Sequence, residues 1–284
     1  MVIKRSLALI GILGWLASCT EEVDLDLPEA DDEIVVEGFI NDEFPLKNYV
    51  FLTRVQSYNQ KEDREVFVRD AEVFVTPGDR INGEIKWAEE EQVEFEPVDN
   101  DTLGLGYYQN DLSNPLQGEE GRYYKLEAYT QEDTITGHTF IPHTIEKEMK
   151  VNYNEENENA VVSLTFQDPP NERNYYRQQY EVSAQRSPLW GQMSGTDVFS
   201  DEDFQGQEFE INYEDFFEEE DTLQNYLMHI DEGCFKYLNS KFEAEAQGGP
   251  FASPVEILSN VDGALGGFCG MAVSHEEVRI ADFN

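Results

Sequence analysis

Ile34-Val35-Val36-Glu37-Gly38-Phe39-Ile40 is the stretch of sequence that most clearly predicts the fold. Three later segments share its rough alternation and its β-branched and aromatic residues, and they are 49–55, 71–75 and 123–129. Because successive side chains of a strand point to opposite faces, this pattern predicts strands with one face in a core. Pro77-Gly78 and Asn82-Gly83 supply turns. Residues 34–145 are therefore predicted to form an antiparallel β-sandwich.

One segment narrows the type of sandwich. Gly121-Arg122-Tyr123-Tyr124-Lys125-Leu126 resembles the late strand of immunoglobulin-like modules, in which a tyrosine anchors the corner of the sheet. The resemblance implies an immunoglobulin-like β-sandwich over residues 34–145, and it gives the aromatic residues of this segment a structural role.

Residues 146–284 are predicted to form a second β-rich domain that carries one helix. Segments with strand character recur at 160–166, 175–182, 209–213, 223–230 and 271–274. Between the last two, four residues fall at helical spacing, namely Phe235, Leu238, Phe242 and Ala246. Asp231 precedes them as an N-cap, and Gly248-Gly249-Pro250 ends the run. The spacing predicts one amphipathic helix that packs its phenylalanine face on the second sheet.

The N-terminus has the features of a lipoprotein leader. Lys4 and Arg5 precede an apolar run, and Ala17-Ser18 leads directly into Cys19. This order predicts a signal peptide over residues 1–18 and matches the lipobox of bacterial lipoproteins, which implies a lipid anchor on Cys19. The alternatives are a plain signal peptide or a membrane helix, but the apolar run falls well short of the ~20 residues that a span needs. The polar residues 19–33 are predicted to be an acidic tether.

The charge of the chain excludes several classes of partner. Sixty acidic residues against 19 basic ones give a formal net charge of −41. The leader contains two of the basic residues and none of the acidic ones, so its loss makes the charge more negative. Nucleic acids are excluded because their binding needs Lys and Arg, and docking on anionic lipids through a basic patch is excluded for the same reason. The acids are spread along the chain, which predicts a halophilic surface adapted to salt or, alternatively, an ordinary solubility surface.

Two cysteines remain once Cys19 is assigned to lipid. Cys234 and Cys269 belong to a chain with an export signal, and oxidising compartments favour disulfides. The pair is interpreted either as a disulfide or as two buried free thiols, which behave as small apolar side chains.

Several motifs, taken in order, point to one family. After the lipobox and the tether come Ile34-Val35-Val36-Glu37-Gly38, Ala71-Glu72-Val73, Asp168-Pro169 before Tyr175-Tyr176, Tyr237-Leu238, and the segment from Asn260 to Phe268. Together they resemble the Bacteroidota lipoproteins classed as domain of unknown function 4249. The resemblance implies an outer-membrane lipoprotein whose gene lies beside a TonB-dependent receptor, and it implies no catalytic residues. Glu21 and Glu22 resemble the signal that sends such lipoproteins to the cell exterior.

Motifs for catalysis and cofactors are weak in this sequence. The four histidines form no zinc-binding pattern, and Ser194 is misplaced for a nucleophile elbow. Asp201 and Asp203, with Gln205 and Gly206, imitate the first half of a calcium loop. Asn212 stands where such a loop needs a bidentate glutamate, so a solvated acidic turn is favoured over calcium. We therefore expect no cofactor and no enzymatic activity.

The remaining candidate contact is aromatic. Trp190 lies between Pro188 and Gly191, and it is interpreted as an exposed ligand or partner contact or, equally, as a side chain folded onto its own core. The sequence as a whole predicts a surface-exposed outer-membrane lipoprotein that is a non-catalytic accessory or ligand-binding subunit of a TonB-dependent transporter or another outer-membrane assembly. The alternatives are an extracellular hydrolase of polysaccharide or peptide and a structural or adhesion protein.

Overall fold

A computed structural model describes residues 33–55, 66–98, 106–156, 158–183, 193–213, 217–247 and 255–283 of the protein. The predicted signal peptide, the lipidation site Cys19, nearly all of the predicted tether and Trp190 lie outside the described residues. Among the helices of the described part, none has the length and apolar character needed to cross a membrane.

Seventeen strands in the described residues form two sheets. The large sheet contains β1 (Ile34–Asn41), β2 (Tyr49–Arg54), β3 (Glu72–Ile81), β4 (Glu84–Trp87), β5 (Val93–Pro97), β6 (Tyr107–Gln109), β7 (Tyr123–Tyr129), β8 (Thr134–Phe140), β11 (Tyr175–Ser183), β12 (Met193–Ser200), β15 (Thr222–Ile230), β16 (Val261–Asp262) and β17 (Leu265–Arg279). The small sheet contains β9 (Lys147–Asn154), β10 (Asn159–Gln167), β13 (Glu208–Asn212) and β14 (Phe217–Glu218). The mainly β fold class predicted from the alternation is confirmed.

The strand order joins the two halves of the chain. Along the large sheet it is β12-β11-β15-β17-β1-β2-β6-β5-β3-β7-β8-β16, with β4 paired to β3. β17 pairs with β1 in parallel, from Val35 opposite Leu265 to Asn41 opposite Met271, and with β15 antiparallel. The last strand therefore joins strands that precede residue 145 to strands that follow it in one continuous sheet. Residue 145 is the boundary that the sequence suggested between two domains.

Two cores lie on the inner faces of the sheets. In the N-terminal core, the large sheet folds over on itself, so that Val36 and Leu52 of β1 and β2 share a cluster with Leu126 of β7. Tyr124 anchors this region as predicted, because its buried hydroxyl accepts the backbone N–H of Glu119 at 2.8 Å. The second core packs the small sheet against β11, β15 and the end of β17 and is rich in aromatic rings.

A single α-helix in the described residues, α1 (Glu232–Ala246), lies on the outer face of the large sheet. The Asp231 carboxylate accepts the backbone N–H of Cys234 at 2.8 Å and so caps the helix where the sequence predicted. Cys234, Tyr237 and Leu238 are buried against β15 and β17, while Phe235 stacks on Tyr175. A disulfide joins Cys234 to Cys269 of β17, with the two Cα atoms 5.0 Å apart.

Candidate functional site

The outer face of the large sheet carries the candidate site. Along β1, Val36 and Ile40 point into the N-terminal core, so alternation directs Glu37, Phe39 and Asn41 to the outside. α1 covers part of this face and leaves a cleft of about 260 Å³ beside it. We call it the aromatic cleft, and its lining is Glu37, Phe39, Asn41, Phe44, Lys47, Tyr49, Arg177, Gln179, Glu181, Tyr226, Met228, Met271 and Val273.

Two groups of rings form the walls of the aromatic cleft. Phe39 and Tyr49, from β1 and β2, meet edge to face with their centroids 5.4 Å apart. Across the cleft, Phe44 meets Tyr226 edge to face at 5.9 Å, and Tyr226 stacks on His275 at 4.7 Å. Such ring pairs hold each other in place, because offset and edge-to-face contacts are favourable beyond the area they bury. The walls are therefore preformed surfaces for a flat apolar group.

Lys47 places a positive charge at the mouth of the aromatic cleft. The short turn Pro45–Lys47 positions it, and its Nζ lies 4.7 Å from the centroid of Phe44 and 5.4 Å from that of Tyr226. Both distances are within the range of cation–π attraction. The ammonium group is thus held over the ring wall although the side chain is exposed.

Arg177 supplies a second, deeper cation. Its side chain is partly buried, and its guanidinium carbon lies 5.8 Å from the ring centroid of Phe39. Nε reaches the hydroxyl oxygen of Thr196 only at 3.5 Å, and within the described part of the chain no carboxylate lies within ion-pair distance of this guanidinium. Burial lowers the pKa of Arg177, yet a guanidinium stays charged at neutral pH. Glu37, in the same cleft, acts on Arg177 only from beyond ion-pair distance and raises its pKa. Among the described residues, the cleft therefore contains a cation that forms no direct ion pair.

Each of the two acidic residues of the lining contacts another side chain. The Glu37 carboxylate lies 2.9 Å from Nζ of Lys241, which reaches over from α1. Glu181 is exposed at the rim, where it accepts Nε2 of Gln179 at 3.3 Å. Glu37 is thus paired with a cation of the helix, whereas Arg177 and Lys47 form no ion pair among the described residues, in a chain whose net charge is −41.

The predicted calcium residues face different surroundings. Asp201 is completely buried, and its carboxylate accepts the backbone N–H of Asn174 at 3.0 Å and lies 3.4 Å from Nε of Arg173. Asp203 is exposed to solvent. In the residues that the structure describes, there is no group of three or more His, Cys, Asp or Glu side chains placed to hold a metal ion. Asp201 therefore has a structural role, through its contacts with Asn174 and Arg173.

A second buried carboxylate belongs to the same corner of the molecule. Asp168 is completely buried and accepts the Tyr176 hydroxyl at 2.5 Å and the backbone N–H of Gly206 at 2.7 Å. Tyr176 in turn stacks on His229, whose pKa is lowered by burial. This network ties the acidic turn after β12 to β11, so the Asp168-Pro169 motif serves the fold rather than the aromatic cleft.

One pair of carboxylates outside the cleft bears on the hydrolase alternative. The Thr144 hydroxyl lies 3.1 Å from Asp42 and 2.5 Å from Glu120, so it bridges the two acids. Asp42 also accepts the backbone N–H of Val273 at 2.8 Å, and burial raises its pKa. Neither acid lines the aromatic cleft. Asp42 thus fastens the end of β1 to β17, and Glu120 contacts Thr144 and His143, so both groups have a structural use.

Comparison with known proteins places the chain in a family. The family model for a domain of unknown function, DUF4249, matches residues 20–277. The chain belongs to the DUF4249 family. None of the curated proteins with which it was compared matches it. The DUF4249 match begins one residue after Cys19, and it contains every residue that lines the aromatic cleft.

The aromatic cleft was not predicted from the sequence, although a signal for it exists. β1 and β2 have aromatic residues at outward positions, Phe39, Tyr49 and Phe51, in addition to apolar residues at inward ones. A strand with apolar groups on both faces indicates that both faces are covered. In this DUF4249 member α1 covers one part of the outer face, and the rest is the cleft. Arg177 gave no such signal, because it is distant in sequence from both strands.

Proposed function

We propose that this DUF4249 protein is an outer-membrane lipoprotein, anchored through Cys19 and facing the cell exterior. In this proposal it acts without catalysis, as a ligand-binding accessory subunit of a TonB-dependent transporter. The lipobox that ends at Cys19 supports the anchor, and the acids Glu21 and Glu22 support export to the outer face. The family resemblance to Bacteroidota lipoproteins supports the association with a transporter.

The observation that carries the binding role is the aromatic cleft with Arg177, which forms no ion pair among the described residues. Small-molecule sites are concave and mostly apolar, with a few polar groups that fix orientation. The cleft has this composition, with rings on two walls and two cations, Lys47 and Arg177. The two carboxylates that line the cleft are each held by a neighbouring side chain, Glu37 by Lys241 at 2.9 Å and Glu181 by Gln179 at 3.3 Å.

The anchor and the partner are tested together. The full chain with a C-terminal tag is expressed in its own cells, solubilised in mild detergent and purified, and co-purifying proteins are identified by mass spectrometry. We expect the lipid-modified chain to bring down a TonB-dependent receptor barrel in near-stoichiometric amount. Cys19→Ser should lose lipidation and leave the membrane fraction after a carbonate wash, because no other segment provides an anchor in this proposal.

A matched control separates the anchor from general damage. Cys234→Ser also replaces a cysteine, but it should leave lipidation and membrane fractionation unchanged. The proposal is wrong if Cys19→Ser stays in the membrane after the wash, or if the lipidated chain purifies alone under conditions in which barrel complexes survive.

A further inference from the structure

We propose that the aromatic cleft binds a small organic monocarboxylate, with the carboxylate on the guanidinium of Arg177 and a flat apolar body between the rings of Tyr49 and Tyr226. This inference rests on the proposed binding function and names the chemical class of its ligand. Each part of it follows from a separate property of the cleft: its charge, its shape and its volume.

The charge argues for an anion. Arg177 is partly buried and, within the described residues, has no carboxylate within ion-pair distance. Removing a cation from water without a partner is costly, and an incoming anion offsets that cost through charge-assisted hydrogen bonds. Among the described residues the guanidinium makes one hydrogen bond, from Nε to Thr196, so its two Nη groups are not used there and can receive a planar carboxylate. Such a two-point contact is the geometry in which a guanidinium and a carboxylate fit best.

The acids of the lining argue for a single negative charge. Glu37 and Glu181 both line the cleft, so a phosphate ester or a dicarboxylate would place a second negative charge near one of them. Like charges brought together at a partly buried site repel with little screening. A cationic ligand is disfavoured in the same way by Lys47 and Arg177. The monocarboxylate is the charge state that uses the cations and avoids the acids.

The volume limits the size of the apolar body. The cleft of about 260 Å³ is larger than a cavity of ~150 Å³ that holds one benzene molecule. The difference leaves room for a short linker and a carboxylate beside one ring. Edge-to-face and offset contacts to Tyr49 on one wall and Tyr226 on the other suit an aromatic body. A phenylalkanoate therefore represents the class.

Calorimetric titration of the full-length protein, solubilised in detergent, tests the inference. The probes are 3-phenylpropionate, its neutral amide 3-phenylpropionamide, and phenylethylammonium. We expect the carboxylate to bind about tenfold or more tightly than the amide, since a hydrogen-bonded charge pair contributes that much, and we expect no binding of the cation. Arg177→Gln should abolish the preference for carboxylate over amide, and Arg177→Lys should restore part of it.

A control variant and a second measurement separate binding from folding. Arg279→Gln removes an exposed arginine paired with Glu277 and should bind 3-phenylpropionate as the wild type does. Thermal unfolding of Arg177→Gln should occur at or above the wild-type temperature, because the variant removes a partly buried cation whose desolvation outweighs the attraction of Glu37. A lower unfolding temperature with unchanged binding would show that Arg177 is structural and would overturn the inference.

The remaining outcomes also decide between the proposals. Equal binding of carboxylate and amide, or no binding of either probe at millimolar concentration, would overturn the carboxylate assignment. Co-purification of the transporter barrel does not depend on this ligand, so the accessory role would stand in that case. Conversely, the chain could bind the carboxylate tightly and still purify without a barrel. That result would support the ligand class and contradict the association with a transporter.

Discussion

Nζ of Lys241 lies 2.9 Å from the Glu37 carboxylate, which joins helix α1 to the first strand across 204 positions of sequence. The contact matters for the aromatic cleft because Glu37 lines it together with Arg177. While Glu37 is paired with Lys241, the guanidinium of Arg177 is available to a ligand. Lys241 of the helix therefore affects the charge of the aromatic cleft although it is not one of the residues that line it.

The first prediction concerns this contact. Lys241→Gln frees the Glu37 carboxylate to interact with Arg177, so the affinity for 3-phenylpropionate should fall several-fold, as measured by calorimetry. Glu37→Gln should raise the affinity, because it removes a negative charge from the cleft. Stability should change by less than about 1 kcal/mol in both variants, since the pair is only half-buried. Equal affinities in wild type and both variants would contradict the prediction.

The disulfide supports a second prediction. Cys234 and Cys269 close a loop with a sequence separation of 35 and fasten α1 to β17. Replacing both by alanine should lower the free energy of unfolding by about 2–4 kcal/mol, because the unfolded chain regains the entropy of the open loop. Denaturant unfolding measures the loss, with reduced wild type as a parallel sample. Mass spectrometry after alkylation without reductant provides the check, and two alkylated thiols in the native protein would contradict the bridge.

The third prediction separates structure from calcium at the acidic turn. Asp201→Asn removes a charge that is completely buried beside Asn174 and Arg173, so it should destabilise the protein by about 2–4 kcal/mol. Asp203→Asn, its exposed neighbour, should change stability by less than about 0.5 kcal/mol. Thermal unfolding with calcium and with a chelator should give the same result for each protein. A loss of stability on chelation alone would instead make both residues ligands.

Lys147 gives a prediction about pH. Its Nζ donates to the backbone oxygen of Asn225 at 3.0 Å and to the side-chain oxygen of the same residue, and burial lowers the pKa of Lys147 from 10.5 to about 8. Between these two values the unfolded chain binds a proton that the folded chain does not, so stability rises with pH. Relative to Lys147→Met, the wild type should gain up to about 3 kcal/mol between pH 8 and 10.5.

The control for that experiment is an exposed lysine. Lys86, which pairs with Glu84 at the surface, is replaced by methionine and compared over the same pH range by denaturant unfolding. The difference between wild type and Lys86→Met should be nearly flat. A flat difference for Lys147→Met as well would mean that its ammonium group is hydrated in the folded protein.

The net charge of −41 predicts the response to salt. At ~0.01 M ionic strength the Debye length is about 30 Å, and at ~1 M it is about 3 Å. Because folding brings the carboxylates closer together, unscreened repulsion destabilises the folded state more than the unfolded chain. The unfolding temperature should therefore rise from low to molar sodium chloride in the presence of a chelator. A constant or falling temperature would contradict a surface adapted to salt.

The strands and the helix could be predicted from local pattern, but the site could not. Alternation around Val36 and Ile40 identified a strand with a buried face, and Asp231 with the apolar spacing behind it identified α1. The aromatic cleft depends instead on which strands are neighbours. Arg177 of β11 lies near Phe39 of β1 because β15 and β17 connect these two strands within the sheet. The connection of β17 to β1 is a parallel pairing. No local spacing encodes that order.

The parallel pairing of β1 with β17 also determines when this chain can finish folding. A polypeptide is synthesised from its N-terminal end, so Ile34–Asn41 exists long before Leu265–Arg279. Until the last strand arrives, one edge of the first strand has no permanent partner, and the order of synthesis opposes the order of the sheet. The chain thus keeps an open strand edge until its synthesis is nearly complete. During that period a chaperone, or the repulsion between its many carboxylates, keeps neighbouring molecules apart.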